Sequence, residues 1–278
     1  MLPPLTLIDF FLRDMKHKKR CFITLRGKHL RVQFSSNTPK TPPTKKRGTV
    51  RGFSAKSRLR LLKAIAEMDW NRIPRATFVT LTYPDSVAIR KPSDRNVDRY
   101  LLHRWFEGNK GKHLPGIWRL EWVPRKSGTH RGVYLPHFHL LLFDHLDIGK
   151  NTIREFWRKT IDAEGVVQID VKRMENAKQA GLYVSKYMGK PIPLLHLDNL
   201  PYLNIAGRQW GFFRKNDIPL EQLIHVVDPS EKAIRYAVLA ACAKLTWIDP
   251  RNPQSFSLIG DFATYVADKL AEIGVDTR

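Results

Sequence analysis

Residues 180–190, AGLYVSKYMGK, contain the pattern Tyr-x-x-Lys twice in tandem, Tyr183 with Lys186 and Tyr187 with Lys190. On a helix, at about 100° per residue, these four side chains fall within an arc of roughly 100°. Ala177, Ala180, Gly181, Val184 and Met188 form the adjoining apolar stripe. Two phenols and two ammonium groups on one face suit phosphodiester chemistry. A phenolate can attack phosphorus, and a lysine can offset the negative charge that develops. The competing reading is an amphipathic helix with tyrosines at a core edge and lysines in water.

A second pair stands upstream. His137 and His139 are two apart in an apolar run, LPHFHLLLF. On a strand both imidazoles project from the same sheet face, where they can chelate one divalent ion. Equally, they can be core histidines satisfied by hydrogen bonds. Glu121 lies in another apolar-aromatic run, GIWRLEWVP, and a carboxylate there is costly to bury without a partner. It is either a third metal ligand or the ion-pair partner of Arg119 or Arg125. Two histidines and a carboxylate suit Mg²⁺ or Mn²⁺.

The elements that must carry these residues follow from periodicity. Residues 20–34 predict a hairpin with Arg26-Gly27-Lys28 at its turn. The Ser/Thr/Pro-rich basic stretch 35–52 predicts a linker, either lying along a phosphate backbone or simply solvated. Residues 54–70 predict a helix capped by Ser54 or Ser57, and 95–107 another. Residues 76–84 predict a strand with Val79, Leu81 and Tyr83 on one face and Phe78, Thr80 and Thr82 on the other. Residues 116–124 and 133–143 predict an antiparallel hairpin joined by the basic loop RKSGTHRG. A helix over 151–161 with an Asn cap, a strand over 166–174 and the tyrosine helix follow, the last stopped by Pro191 and Pro193. After a proline-punctuated loop come helices at about 230–247 and 258–272. Mixed strands and helices with hairpins predict an α+β fold, a central antiparallel sheet flanked by helices.

Formal charge is +22 over 278 residues, with a pI near 10.2. This balance points to a polyanionic partner, most simply nucleic acid. Residues 1–75 hold 19 Lys and Arg against 4 Asp and Glu, so most of the excess is N-terminal. Cys21 and Cys242 are too few and too far apart for a disulfide framework or a zinc site, which favours the cytoplasm. The apolar run 237–248 is short and contains Lys244, so no membrane partner is expected. No G-x-x-x-x-G-K-[ST] occurs, since GNKGKHL lacks the spacing and the hydroxyl, and no helicase motor is visible.

Three segments, FVTLTYP (78–84), LPHFHLLLF (135–143) and YVSKYMGK (183–190), resemble in order and spacing the motifs of rolling-circle replication initiators, the HUH endonucleases. GRQWG (207–211) also resembles the replication-associated proteins of filamentous phages and related plasmids. The resemblance covers about 54–215. It divides the chain into a basic extension with hairpin and linker (1–53), an endonuclease domain with a ferredoxin-like HUH sheet (54–215) and a helical C-terminal region (216–278). It implies that His137 and His139 bind the metal, with Glu121 a looser third ligand. Tyr183 would be the nucleophile, Tyr187 a second one and Lys186 their electrostatic helper. The activity it implies is nicking and religation of single-stranded or supercoiled origin DNA through a 5′-phosphotyrosine. A host helicase and polymerase would assist in a bacterial cytoplasm. Transposases and relaxases of the same superfamily share this chemistry, and a non-enzymatic nucleic-acid-binding protein would share the charge.

Overall fold

The computed structural model describes residues 20–34, 53–87, 91–108, 113–144, 146–176, 180, 208–244 and 255–276. Among these are five α-helices and two antiparallel sheets, an α+β architecture as expected. The chain divides into two compact units, one of residues 47–61 and 70–219 and the other of 1–46, 62–69 and 220–278.

In the first unit the sheet is built from β3 (Ala76–Thr82), β4 (Gly116–Pro124), β5 (Tyr134–Leu142), β6 (Ile169–Met174) and β7 (Trp210–Phe213). Their order is β6-β3-β5-β4-β7. The histidine strand β5 is therefore central, hydrogen-bonded on both sides, as its near-continuous apolar sequence predicts. β4 and β5 form the expected hairpin, with Glu121 opposite His137 and Arg119 opposite His139. On the other side Thr80 pairs with His139 and Thr82 with His137.

One face of this sheet is covered by α2 (Pro92–Glu107) and α3 (Lys150–Thr160). Tyr83 and Phe138 meet Trp157 of α3 edge-on at 5.0 and 5.9 Å. The fully buried Asp98 of α2 accepts a 2.9 Å hydrogen bond from the Tyr83 hydroxyl. Arg95 and Arg99 lie over Trp122 and Trp118, so the buried guanidinium charge rests on aromatic faces. The partition of β3 into two faces is thus as the alternation predicts. Asn151 does not cap α3; the capping position is Gly149, with no side-chain bond. Ser54 does cap α1 (Ala55–Ala66), accepting from the Ser57 amide at 3.2 Å.

The second unit holds β1 (Cys21–Arg26) and β2 (His29–Phe34), the predicted hairpin, with Gly27 at φ +52° in its turn. Its partners were not foreseen. β8 (Leu223–Val227) pairs with β1, and β9 (Ser255–Ile259) pairs with β2. The stretch read as loop and helices therefore also carries two strands, which pair with a hairpin some two hundred residues away. The sheet order is β8-β1-β2-β9. One of its faces, with Ile23, Leu25, Leu30 and Val32, packs under α4 (Glu231–Lys244) and α5 (Asp261–Glu272) in a core of its own. Motif coverage places boundaries at 53 and 216, whereas compactness groups the hairpin with the C-terminal stretch.

Candidate active site

The face of the five-stranded sheet opposite α2 and α3 gathers the polar residues of three adjacent strands. His137 and His139 stand side by side on β5, rings near-parallel at 13° and centroids 6.5 Å apart. Each Nδ1 shares a hydrogen bond with a threonine of β3, His137 with Thr82 at 3.0 Å and His139 with Thr80 at 3.2 Å. A hydroxyl both donates and accepts. At His137, where the hydroxyl accepts, Nδ1 carries the proton and Nε2 keeps its lone pair, the arrangement a metal-ligating imidazole needs; at His139 the Nε2 proton goes to the Glu121 carboxylate. Thr82 is itself fixed from the covered face, its carbonyl accepting from Trp157 Nε1 at 3.0 Å. Phe78 stacks on His139 at 5.5 Å.

From β4, Glu121 Oε2 lies 2.7 Å from His139 Nε2, and both side chains are buried. Arg119, on the same face, is fully buried and lies over the Phe53 ring at 4.7 Å. Burial draws its guanidinium down to about 10, against the pull of Glu121 and with the push of Arg58. It remains a cation at neutral pH, so the Glu121 carboxylate is paired with His139 and attracted by Arg119. The direct bond of Glu121 is to His139, and Arg125 pairs with Asp85. Burial pushes His137 down to about 4; His139 and Arg125 add to this and Glu121 opposes it. His137 is therefore neutral across the physiological range, as a metal ligand must be.

Among the described residues no group of three His, Cys, Asp or Glu side chains is set to hold a metal ion. Glu121 and His139 are engaged with one another, and the His137 ring stands parallel to its neighbour rather than converging. The donor types nonetheless fit a divalent ion. They are two imidazoles backed by hydroxyls, one of them held neutral, and a carboxylate on the same face.

Two further devices brace this face. Asp85, beyond β3, pairs with Arg125 at 2.9 Å and accepts from the Thr129 amide at 3.1 Å. A Cβ at Gly128 (φ +86°) would stand 2.4 Å from Asp85 Oδ2, so the glycine lets the basic loop close on the carboxylate. The segment GRQWG leads into β7 (Trp210–Phe213). Gln209 accepts from the Leu120 amide at 2.8 Å and from Trp122 Nε1 at 3.2 Å. Trp210 donates to Ser57 at 2.9 Å. Gly211 sits opposite Trp118, and a Cβ there would lie 2.8 Å from the indole nitrogen. These residues hold β4, and with it Glu121.

Of the residues singled out in the sequence, His137, His139 and Glu121 are brought together. Tyr183, Lys186, Tyr187 and Lys190 lie outside the described residues. Of their segment only Ala180 is described, buried and donating its N–H to the Asn176 carbonyl beyond the end of β6. Sequence reasoning placed Thr80 and Thr82 on the right face but assigned them no role, because the register that sets them against the histidines is not in the local pattern.

Residues 76–192 match the family model of the ORF2-type replication-associated protein. The matched segment begins at the first residue of β3, includes the histidine hairpin and ends just past Lys190. All seven of those candidate residues lie within it, although it spans less than half of the chain. No curated protein and no solved structure matches the chain. Among the described residues no helix is long and apolar enough to cross a membrane.

Proposed function

We propose that this protein initiates DNA replication by nicking and resealing a single strand at an origin. The observation that carries the reading is the histidine pair of β5, backed by Thr80 and Thr82 and joined by Glu121, inside the segment similar to a replication-associated protein. A basic chain of net charge +22 is the companion feature, suited to a polyanionic substrate.

In this reading His137, His139 and Glu121 hold Mg²⁺ or Mn²⁺. When bound, such an ion supplies Lewis-acid polarisation of a non-bridging phosphate oxygen. The chain's own residues do the rest. Thr80 and Thr82 keep the imidazoles in register, and Arg119 stabilises the buried carboxylate beside His139. The Tyr183 phenolate attacks phosphorus, and the bond to the 3′ oxygen breaks. The 3′ oxygen takes up a proton and leaves as a free hydroxyl, while the 5′ phosphate stays esterified to the tyrosine. Lys186 offsets the charge building on the phosphoryl oxygens. Tyr187, four residues on, would cleave the regenerated origin, and the released 3′-hydroxyl would then close a circle by attacking the first ester. The ester stores the bond energy, so joining needs no nucleotide.

A host helicase and polymerase would open and extend the strand, and the site of action would be the bacterial cytoplasm. A transposase or relaxase would use the same residues on a different substrate. The test is nicking of labelled origin single strands with Mn²⁺. His137→Ala and His139→Ala should abolish cutting while most DNA affinity remains, because phosphate contacts elsewhere dominate binding. Full-rate cutting in EDTA would remove the metal from the account.

A further inference from the structure

Among the described residues, α4 and α5 cover one face of the sheet of the second unit, and the C-terminal end of α1 reaches the β2 and β9 part of the other, where Glu67 bonds His29 and Lys63 donates to Ser257 at 2.6 Å. The other face is built from alternate residues of β8, β1 and β2: Phe22, Thr24 and Arg26 beside Val227, His225 and Leu223, with Arg31 opposite Thr24. Phe22 and His225 are stacked, centroids 5.4 Å apart and planes 17° from parallel. Thr24 Oγ1 and His225 Nδ1 share a 3.2 Å hydrogen bond that fixes the imidazole. His225 and Arg31 are exposed, and Leu223 and Val227 are each half-exposed at 50%. None of the side chains that β1, β2 and β8 turn to this face is acidic. The nearby Glu67 is already bonded to His29.

An antiparallel sheet presenting a pre-stacked aromatic pair beside arginines is an arrangement that takes unpaired bases. The rings offer a stacking platform, the guanidinium groups neutralise phosphates, and side-chain hydroxyls and amides reach base edges. We infer that this face of the β8-β1-β2 sheet binds single-stranded DNA, with a base stacked on the Phe22–His225 pair and phosphates on Arg26 and Arg31. The choice of DNA rests on the replication reading; the single-strand preference rests on the stacked pair and the charge of the face. The site shares no residue with the histidine face, so the chain would hold its strand at a place that does no chemistry.

The test uses the full chain in EDTA, where no cutting intervenes, and a fluorescent oligothymidylate of about 20 nucleotides, long enough to span one sheet face. Phe22→Leu and His225→Ala should each weaken binding about fivefold or more, and Phe22→Tyr should not, because it keeps the ring. Arg31→Gln should lower the slope of log affinity against log salt by about 1. A duplex of the same length should lose far less to Phe22→Leu, since its bases are already stacked. The exposed positions His225 and Arg31 carry the test if Phe22→Leu fails to fold. Wild-type affinity in His225→Ala together with a wild-type salt slope in Arg31→Gln overturns the proposal, and assigns the face to some other partner. Because binding is read without cleavage, a failure of nicking in the histidine variants leaves this result standing, and the reverse also holds.

Discussion

Replacing Thr82 by valine removes one hydroxyl and almost nothing else. The two side chains have nearly the same shape, and valine suits a strand at least as well. What is lost is the 3.0 Å bond to His137 Nδ1. Removing one partner leaves the half-buried His137 Nδ1 unsatisfied, so stability should fall by up to about 1–3 kcal/mol. The effect on a bound ion comes on top of that. Loss of the group that orients a ligating imidazole typically weakens metal binding about 10–100-fold, or roughly 1.4–2.7 kcal/mol. Thr80→Val should cost less. Its bond to His139 is longer at 3.2 Å, and that ring is also held by Glu121 at 2.7 Å and by Phe78 stacked on it. The assay is calorimetric titration of the full chain with Mn²⁺, with Thr82→Ser as the control that restores the hydroxyl. Wild-type Mn²⁺ affinity in a folded Thr82→Val protein would show that His137 needs no orienting hydroxyl or is not a ligand. A larger loss for Thr80→Val than for Thr82→Val would refute the ordering argued from the geometry.

Gly211→Ala should destabilise the first unit. The new methyl meets the rigid, buried indole of Trp118 at 2.8 Å, an overpacking cost of about 1–3 kcal/mol less the roughly 0.5–1 kcal/mol that alanine recovers in a strand; a thermal melt no lower than that of the native chain would contradict it. Metal-free protein should lose stability in acid through His137. Its folded pKa of about 4 lies below the unfolded value of about 6.5, so the unfolded chain binds the extra proton. The stabilising contribution is complete above about pH 6.5 and is lost as the pH falls toward 4, at most about 3 kcal/mol. Urea melts in EDTA should show this slope in the native chain and a flatter one in His137→Gln, and equal slopes would remove His137 as its source.

Much of the histidine face was legible because it is local. Alternation placed His137 with His139 and separated Thr80 and Thr82 from Val79 and Leu81. The basic turn between two apolar runs announced the β4–β5 hairpin. Register was not legible, and it is register that sets Thr82 against His137 and Glu121 across from it. The two strands of the C-terminal stretch escaped for a related reason. LIHVV and SFSLI are short, and what makes them strands is pairing with Phe22–Arg26 and His29–Gln33, far away in the chain. Arg119 entered only as a possible ion-pair partner of Glu121, because nothing in its neighbourhood predicts that Phe53 will cover it. Gly211 read as part of a motif; its reason is the indole packed against it.

The central claim is covalent strand transfer by Tyr183 or Tyr187 assisted by the histidine face, and one measurement tests it most directly. Full-length protein, Mn²⁺ and a labelled single strand carrying the origin nick site are resolved on a denaturing gel, and the adduct is mapped to a peptide. The account predicts a protein–DNA adduct in the native chain. It should survive in Tyr183→Phe and in Tyr187→Phe, mapping each time to the remaining tyrosine, and be absent from the double variant, from His137→Ala and from reactions in EDTA. An adduct that persists in the double variant, or efficient cleavage that leaves no adduct at all, would contradict it.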